Sequence, residues 1–193
     1  MIFATLVLAY FIGSIPFGLI LTRLAGTQDL RTVGSGNIGA TNVMRTGHKW
    51  LGALTLLLDG GKGFAAVALA IHLYGNDFAA LAGLFAVIGH IVPVWLRFKG
   101  GKGVATTIGV FFGMNWTLGL AVCAIWLMAF LFMRISSLAS MLSIGYSPTV
   151  AYLLDDGAIT FLSLTLAVII IFTHRGNIAR LLQGKEHAFR EKS

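Results

Sequence analysis

The side chains able to do chemistry in this chain are few, and most fall in three stretches. The first reads Gly34-Ser-Gly-Asn-Ile-Gly-Ala-Thr-Asn-Val-Met-Arg-Thr-Gly47. Glycines such as Gly34 and Gly36 let bare backbone amides approach an anion, Ser35, Asn37, Thr41 and Asn42 add donors, and Arg45 adds a cation. A flexible connector is the competing reading, but a connector has no need of Asn, Thr and Arg so closely interleaved. The stretch is neither a Walker loop nor a G-x-G-x-x-G turn after a strand, so nucleotide binding is unsupported.

The second stretch, Phe98-Lys-Gly-Gly-Lys-Gly-Val-Ala-Thr-Thr107, opens an apolar run. The first-turn amides of a helix are unsatisfied and its dipole favours negative charge, so Lys99, Gly100, Gly101, Lys102, Gly103 and Thr106 read as a phosphate cradle. Charge that only orients a membrane span explains the two lysines, not the glycines or threonines. The third stretch is His174-Arg-Gly-Asn-Ile-Ala-Arg180, where helical spacing brings Asn177 near His174 and Arg180 near Asn177. A lipid-anchoring tail explains that polar stripe equally well.

Other polar residues have blander readings. Asp59 and Lys62 sit inside an apolar run at i and i+3, so a structural ion pair and a catalytic pair are equal alternatives. Ser136, Ser137 and Ser140 suit helix caps, although Ser140 is retained as a candidate substrate contact. His90, mid-span and with no carboxylate expected near it, reads as a hydrogen-bonded structural residue, and no His or Cys set has metal spacing, so no metal is expected. Cys123, alone in an apolar run, can form no intrachain disulfide. His72-Leu-Tyr-Gly-Asn-Asp77 matches the His-x4-Asp motif of soluble glycerolipid acyltransferases, but it lies away from every basic loop and is read as chance. Gly60-Gly-Lys-Gly-Phe-Ala-Ala66 and Gly100-Gly-Lys-Gly-Val-Ala-Thr106 echo one another, as a remnant repeat or by coincidence.

The elements that must hold these residues are membrane helices. Of 193 residues, 57% are apolar and 11% charged, with a mean hydropathy of +0.87, against about a quarter charged in soluble domains. The apolar runs are 2 to 22, 50 to 74, 78 to 96, 104 to 133, 137 to 154 and 158 to 174. Only helices among the open-ended elements satisfy their own backbone in lipid. Met1 to Thr22 lacks a basic n-region, so it is expected to be a retained helix and not a removed signal peptide. The net charge of +7 is spread beside the spans, which argues for anionic lipid or phosphorylated substrates and against nucleic acid.

Basic residues in 23 to 49, in 97 to 102 and after 174 are expected on the cytoplasmic side, and the turns at 75 to 77 and 155 to 157, without any, outside. That parity requires run 104 to 133 to be two helices, divided at Gly113-Met-Asn115. The expectation is an all-α, polytopic, single-domain membrane protein over residues 1–193. It has seven helices, the N-terminus outside, the C-terminus cytoplasmic and a short fourth helix.

The motifs carry a resemblance. Gly13-Ser-Ile-Pro-Phe-Gly18 with Leu30-Arg-x-x-Gly-Ser-Gly-Asn-x-Gly-Ala-Thr-Asn42, then Lys99-Gly-Gly-Lys-Gly-Val-Ala-Thr106, then His174-x-x-Asn-Ile-x-Arg-Leu-x-x-Gly-x-Glu-His187 resemble, in that order, the bacterial membrane glycerol-3-phosphate acyltransferases that use acyl phosphate. The resemblance implies a multi-pass protein of the bacterial cytoplasmic (inner) membrane, with seven helices and a cytoplasmic site. It implies transfer of a fatty acyl group to the sn-1 hydroxyl of glycerol 3-phosphate, giving lysophosphatidate and phosphate, the first step of phospholipid synthesis.

Catalysis is expected from Ser35, Arg45, Lys102, His174 and Asn177, which would hold the phosphate-bearing groups. Lys99, the amides from Gly100 to Gly103, Arg180 and the other residues of the three stretches would support them. No cofactor is expected, and the protein is expected to be monomeric. A small-anion or phosphate-ester transporter is the alternative of another class, since basic motifs and broken helices suit one too.

Overall fold

The computed structural model describes residues 1–154, 156–186 and 188. Asp155, in one expected outer turn, and His187, in the third motif, lie outside the described residues, as does the side chain of Asp77. The helices are α1 (Ile2–Gly13), α2 (Phe17–Leu24), α3 (Ala40–Met44), α4 (Lys49–Tyr74), α5 (Ala79–Ile91), α6 (Val104–Met114), α7 (Trp116–Met133), α8 (Ser136–Leu153), α9 (Gly157–Thr173) and α10 (Arg175–Leu182). No strand occurs among the described residues.

Four stretches, Ile2–Leu24, Lys49–Tyr74, Ala79–Leu96 and Trp116–Met133, are long and apolar enough to cross a bilayer. A fifth is added if α9 and α10, bent by 59°, count as one span. The chain is an all-helical, multi-pass membrane protein. The expected division of the run 104 to 133 is present: α6 ends at Met114, and Asn115 caps α7 by accepting from the Leu118 amide at 3.1 Å. α7 fully buries only Leu118, Gly119 and Val122 and leaves Leu120, Leu127, Met128, Leu131 and Phe132 exposed, as a lipid-facing helix does.

The helices pack as two units, Met1–Met114 and a second beginning at Asn115. In the first, α4 touches α1, α2, α3, α5 and α6. Close approach rests on glycine. A Cβ at Gly109 of α6 would overlap the Gly60 carbonyl of α4, and one at Gly63 would overlap the Thr106 carbonyl. Without a solvent-driven force between helices in lipid, such backbone-to-backbone packing holds them together.

One expectation about this unit is corrected. The run 2 to 22 is not one helix, because Pro16 has no amide to donate and disfavours helical backbone at Ile15, so α1 ends at Gly13 and α2 restarts at Phe17. The run 50 to 74 is one helix, α4, which continues through Asp59-Gly-Gly-Lys-Gly63. The break and the unbroken helix are linked. Lys62 donates to the Ile15 carbonyl, at the break between α1 and α2, at 2.7 Å, and to Asp59 Oδ1 at 2.7 Å.

In the second unit α8 packs against both α7 and α9. One face of α8 is serine: Ser137, Ser140, Ser143 and Ser147 are all buried. Pro148 lies inside α8 and cannot donate to the Ile144 carbonyl four residues back. The Ser147 hydroxyl does so instead, at 2.7 Å. The helix therefore passes a proline without leaving an unsatisfied carbonyl in an apolar surrounding.

Candidate active site

The first motif is a loop built around Asn42. Leu30, Val43 and Leu51 form a buried cluster beneath it, with Leu19 and Leu21 of α2 packed alongside. Asn42, 1% exposed, donates to the Leu30 carbonyl at 2.9 Å and the Val33 carbonyl at 3.0 Å, and accepts from the Ser35 amide at 3.0 Å. Both its N–H groups are thus committed to the backbone. Its expected part as an anion donor is corrected to that of a scaffold that fixes Ser35. Gly34 (φ +54) and Gly36 (φ +69) take left-handed backbone, which lets the loop double back. A Cβ at Gly34 would come within 3.0 Å of Arg45 Cδ, so the absent side chain is what lets Arg45 cross the loop. Ser35 is exposed, while Asn37, Thr41 and Arg45 are half-buried.

Arg31 is occupied elsewhere, clamped on Asp29 by contacts of 2.6 to 3.1 Å. The Arg31 hydrogen bonds hold the exposed Asp29 carboxyl down to about 2.

The second motif is a loop pinned to the end of α5. After Pro93 the chain makes a 3-10 turn over Val94–Leu96, and Arg97 (φ 51) and Phe98 (φ 63) take left-handed backbone. The Gly100 amide then donates to the Ile91 carbonyl and the Gly101 amide to the His90 carbonyl, both at 3.0 Å. Those carbonyls end a helix and have no partner within it. Two of the four amides expected to face an anion are therefore spent on anchoring the loop. Lys99 is exposed and Lys102 half-buried at the approach to α6. Thr106 and Thr107 are fully buried, and their hydroxyls meet no hydrogen-bond partner among the described residues.

His90 is structural in a way its sequence neighbours do not reveal. Asp59 lies 3.7 Å from its Nδ1, so the expectation of no nearby carboxylate is corrected. Asp59 and Lys62 pair with each other, as their spacing allows.

The third motif surrounds the bend between α9 and α10. His174, 2% exposed, directs Nδ1 at the Ile170 carbonyl at 2.8 Å. A carbonyl only accepts, so Nδ1 carries the proton and a neutral ring presents Nε2 as an acceptor. Asn177, also buried, donates to Glu186 Oε1 at 2.6 Å. Arg180 donates to Glu186 Oε2 at 2.7 Å, and Ser137 to Oε1 at 2.8 Å. Burial raises the Glu186 carboxyl, but hydrogen bonds from Asn177, Ser137 and Arg180 outweigh it and hold the group below its ordinary value.

Glu186 is the residue that sequence reasoning quoted but gave no role. Its signal was a single acidic group close behind a His, an Asn and an Arg. Ser140 donates to the Ser136 carbonyl at 2.8 Å and accepts from the Trp126 indole at 3.0 Å, so it ties α7 to α8. Ser136, Ser137 and Ser140 do not cap α8, whose N-cap is Ile135.

Each motif is thus a backbone turn held by a buried hub, with cations or a histidine carried on it. That arrangement suits binding of phosphate groups. The sequence model of the family described as glycerol-3-phosphate acyltransferase matches residues 3–184. The glycerol-3-phosphate acyltransferase of Jannaschia sp. is 51% identical over 182 residues, covering 94% of this chain and 90% of that protein. The one from Mesorhizobium japonicum is 54% identical over 182 residues, covering 94% and 92%. A crystal structure of PlsY (YgiH), an integral membrane glycerol 3-phosphate acyltransferase, in its glycerol 3-phosphate form matches with a TM-score of 0.93 at 40% identity, over 98% of this chain and 96% of that one. Its lysophosphatidic acid form matches at 0.92 and 38%, over 98% and 95%. Similarity over nearly the full length of this chain and of each relative places this protein: the chain belongs to the glycerol-3-phosphate acyltransferase family.

Proposed function

We propose that the protein transfers a fatty acyl group from acyl phosphate to the sn-1 hydroxyl of glycerol 3-phosphate, giving lysophosphatidate and inorganic phosphate. The observation that carries this reading is the near-complete match to an integral membrane acyltransferase crystallised in glycerol 3-phosphate and lysophosphatidic acid forms, which are the acceptor and the product of such a transfer. Acyl phosphate as donor is supported by the residues at hand. The motifs offer cations, amides and hydroxyls that grip phosphate, and acyl phosphate needs gripping at one end and no further activation.

In the proposed step the sn-1 oxygen attacks the acyl carbonyl carbon, the bond from that carbon to the phosphate oxygen breaks, and the hydroxyl proton passes to an oxygen of the departing phosphate. Nothing is oxidised or reduced, and no cofactor is needed. Ser35, Arg45, Lys102, His174 and Asn177 hold the phosphate-bearing groups, with Lys99, Thr41, the glycines of the first motif and the Lys102 and Gly103 amides supporting them. Arg45 and Lys102 do the most, because holding donor and acceptor in line and neutralising the leaving phosphate supply most of the acceleration available to such a reaction. His174 binds phosphate through Nε2–H when protonated, and Nδ1 remains on Ile170 in either state.

The chain acts as one acyltransferase domain over residues 1–193, a reading supported by the family match running from residue 3 to residue 184. It crosses the bacterial cytoplasmic membrane seven times, N-terminus outside and C-terminus inside, and works as a monomer. The charge parity of its loops supports that topology. α6, about 16 Å long at 1.5 Å per residue, then enters the bilayer without spanning its full depth.

The test is phosphate release by purified protein given palmitoyl phosphate, with and without glycerol 3-phosphate, and with acyl-CoA as control donor. Release that depends on glycerol 3-phosphate and yields lysophosphatidate supports the proposal. Turnover with acyl-CoA alone refutes the donor. No turnover in folded protein, with uptake of a phosphate ester into proteoliposomes, refutes the reaction in favour of transport.

A further inference from the structure

The reading of Lys102 as a phosphate ligand leaves open what holds its loop in place. The loop has no regular structure from Gly101 to Gly103, and three glycines give it little stiffness of its own. A side chain of α5 lies against it. The His90 ring is 5% exposed, and a Cβ at Gly101 would overlap its Nε2. The His90 carbonyl also accepts the Gly101 amide at 3.0 Å. Gly101 is thus held twice by one residue, once through the backbone and once by the Nε2 edge of an imidazole, immediately before Lys102.

The other side of the ring faces a fixed charge. Nδ1 lies 3.7 Å from Asp59 Oδ1, and among the described residues it has no hydrogen-bond partner. Asp59 cannot move away, because Lys62 grips the same oxygen at 2.7 Å and is itself tied to Ile15 at 2.7 Å. Asp59 and Lys62 are both buried, within an apolar span. A buried ion pair is costly to keep in an apolar span, which asks for a reason beyond stability.

We propose that His90, oriented by Asp59, is a positioning residue for the Lys99 to Gly103 loop, setting from below where Lys102 leaves it. The proposal rests on the acyltransferase reading for its kinetic consequence, though not for its structural one. A group that must meet the leaving phosphate loses rate when displaced by about 1 Å, by roughly 100-fold in unfavourable cases. Displacement costs kcat more than KM, because the charge Lys102 stabilises develops only in the transition state.

Two variants separate positioning from packing. His90→Gln keeps an N–H for Asp59 and similar bulk, whereas His90→Leu fills the space but offers Asp59 nothing. Steady-state turnover with palmitoyl phosphate and glycerol 3-phosphate, and hydrogen exchange of the backbone amides, are measured on both and on the native protein. The proposal expects His90→Leu to lose about tenfold or more in kcat, with a smaller change in KM. It expects faster exchange at residues 99 to 103, unchanged exchange in α4 and α6, and recovery of most of the rate in His90→Gln. Native-like kcat in His90→Leu, or equal losses in both variants with faster exchange throughout the first unit, overturns it. If the native protein shows no turnover, the acyltransferase reading has failed. Exchange confined to the loop in His90→Leu then still upholds the positioning role, and unchanged exchange there refutes it.

Discussion

Gly-Gly-Lys-Gly occurs twice, at 60–63 and at 100–103, and the two copies share no conformation. The first lies in the middle of α4 and is helical throughout; the second is an irregular loop leading into α6. Glycine weakens a helix by about 1 kcal/mol relative to alanine, so neither copy would form one alone. The first is carried by the flanking turns of a 26-residue helix that begins at Lys49. The second follows Pro93 and two left-handed residues, and its first two amides are taken by the end of α5, so α6 cannot extend backward through it. What surrounds a string decides its structure. The same difference decides its chemistry: Lys62 is buried against Asp59, whereas Lys102 stands half-buried at a helix entrance.

The comparison can be broken most forcefully at the two lysines. Lys62→Met leaves Asp59 without its partner, and removing one member of a buried pair costs about 3–5 kcal/mol. The expected outcome is a large fall in thermal stability in detergent, regained in good part by the double variant Lys62→Met with Asp59→Asn. Lys102→Ala should behave oppositely. Its thermal stability stays near native, and turnover falls roughly 100- to 1,000-fold, the range for removing one preorganised donor from a developing anion. If Lys102 proved dispensable for turnover, the second motif would not be a binding loop.

The middle glycines sharpen the contrast. A Cβ at Gly61 meets nothing within 4 Å, whereas one at Gly101 runs into His90. Gly101→Ala is expected to cost about 1–3 kcal/mol through overpacking, and to slow turnover as the loop shifts. Gly61→Ala should raise stability by about 0.5–1 kcal/mol, read as a higher midpoint of thermal unfolding.

Glu186 supplies a smaller effect that depends on pH. Its native carboxyl titrates below the ordinary value of 4.5. A lowered native value means that its stabilisation is complete above 4.5 and fades as pH falls through the native value. Protection of the α10 amides, after allowance for the intrinsic slowing of exchange in acid, should therefore fall as pH drops below that range. In Glu186→Gln protection should be lower already at neutral pH and less sensitive to acid.

Much of the frame was legible in sequence. The break at Gly113 to Asn115 followed from charge parity, and the Asp59–Lys62 pairing from helical spacing. What escaped was set by contacts across loops. Asn42 reaches carbonyls 9 and 12 residues away, which no spacing rule anticipates. Glu186 gathers Ser137 across 49 residues. Pro16 marked the break in the first span, but apolarity on both sides concealed it. His90 looked isolated because its carboxylate is on another helix.

The central claim is a single-step transfer between two held substrates. It is tested most directly by rapid mixing of the protein with palmitoyl phosphate labelled in its acyl chain, without glycerol 3-phosphate. The account predicts no burst of phosphate and no label on the protein until acceptor is added, when lysophosphatidate and phosphate form together. A burst equal to the enzyme present, with label retained on the chain, would mean an acyl-enzyme intermediate and contradict it.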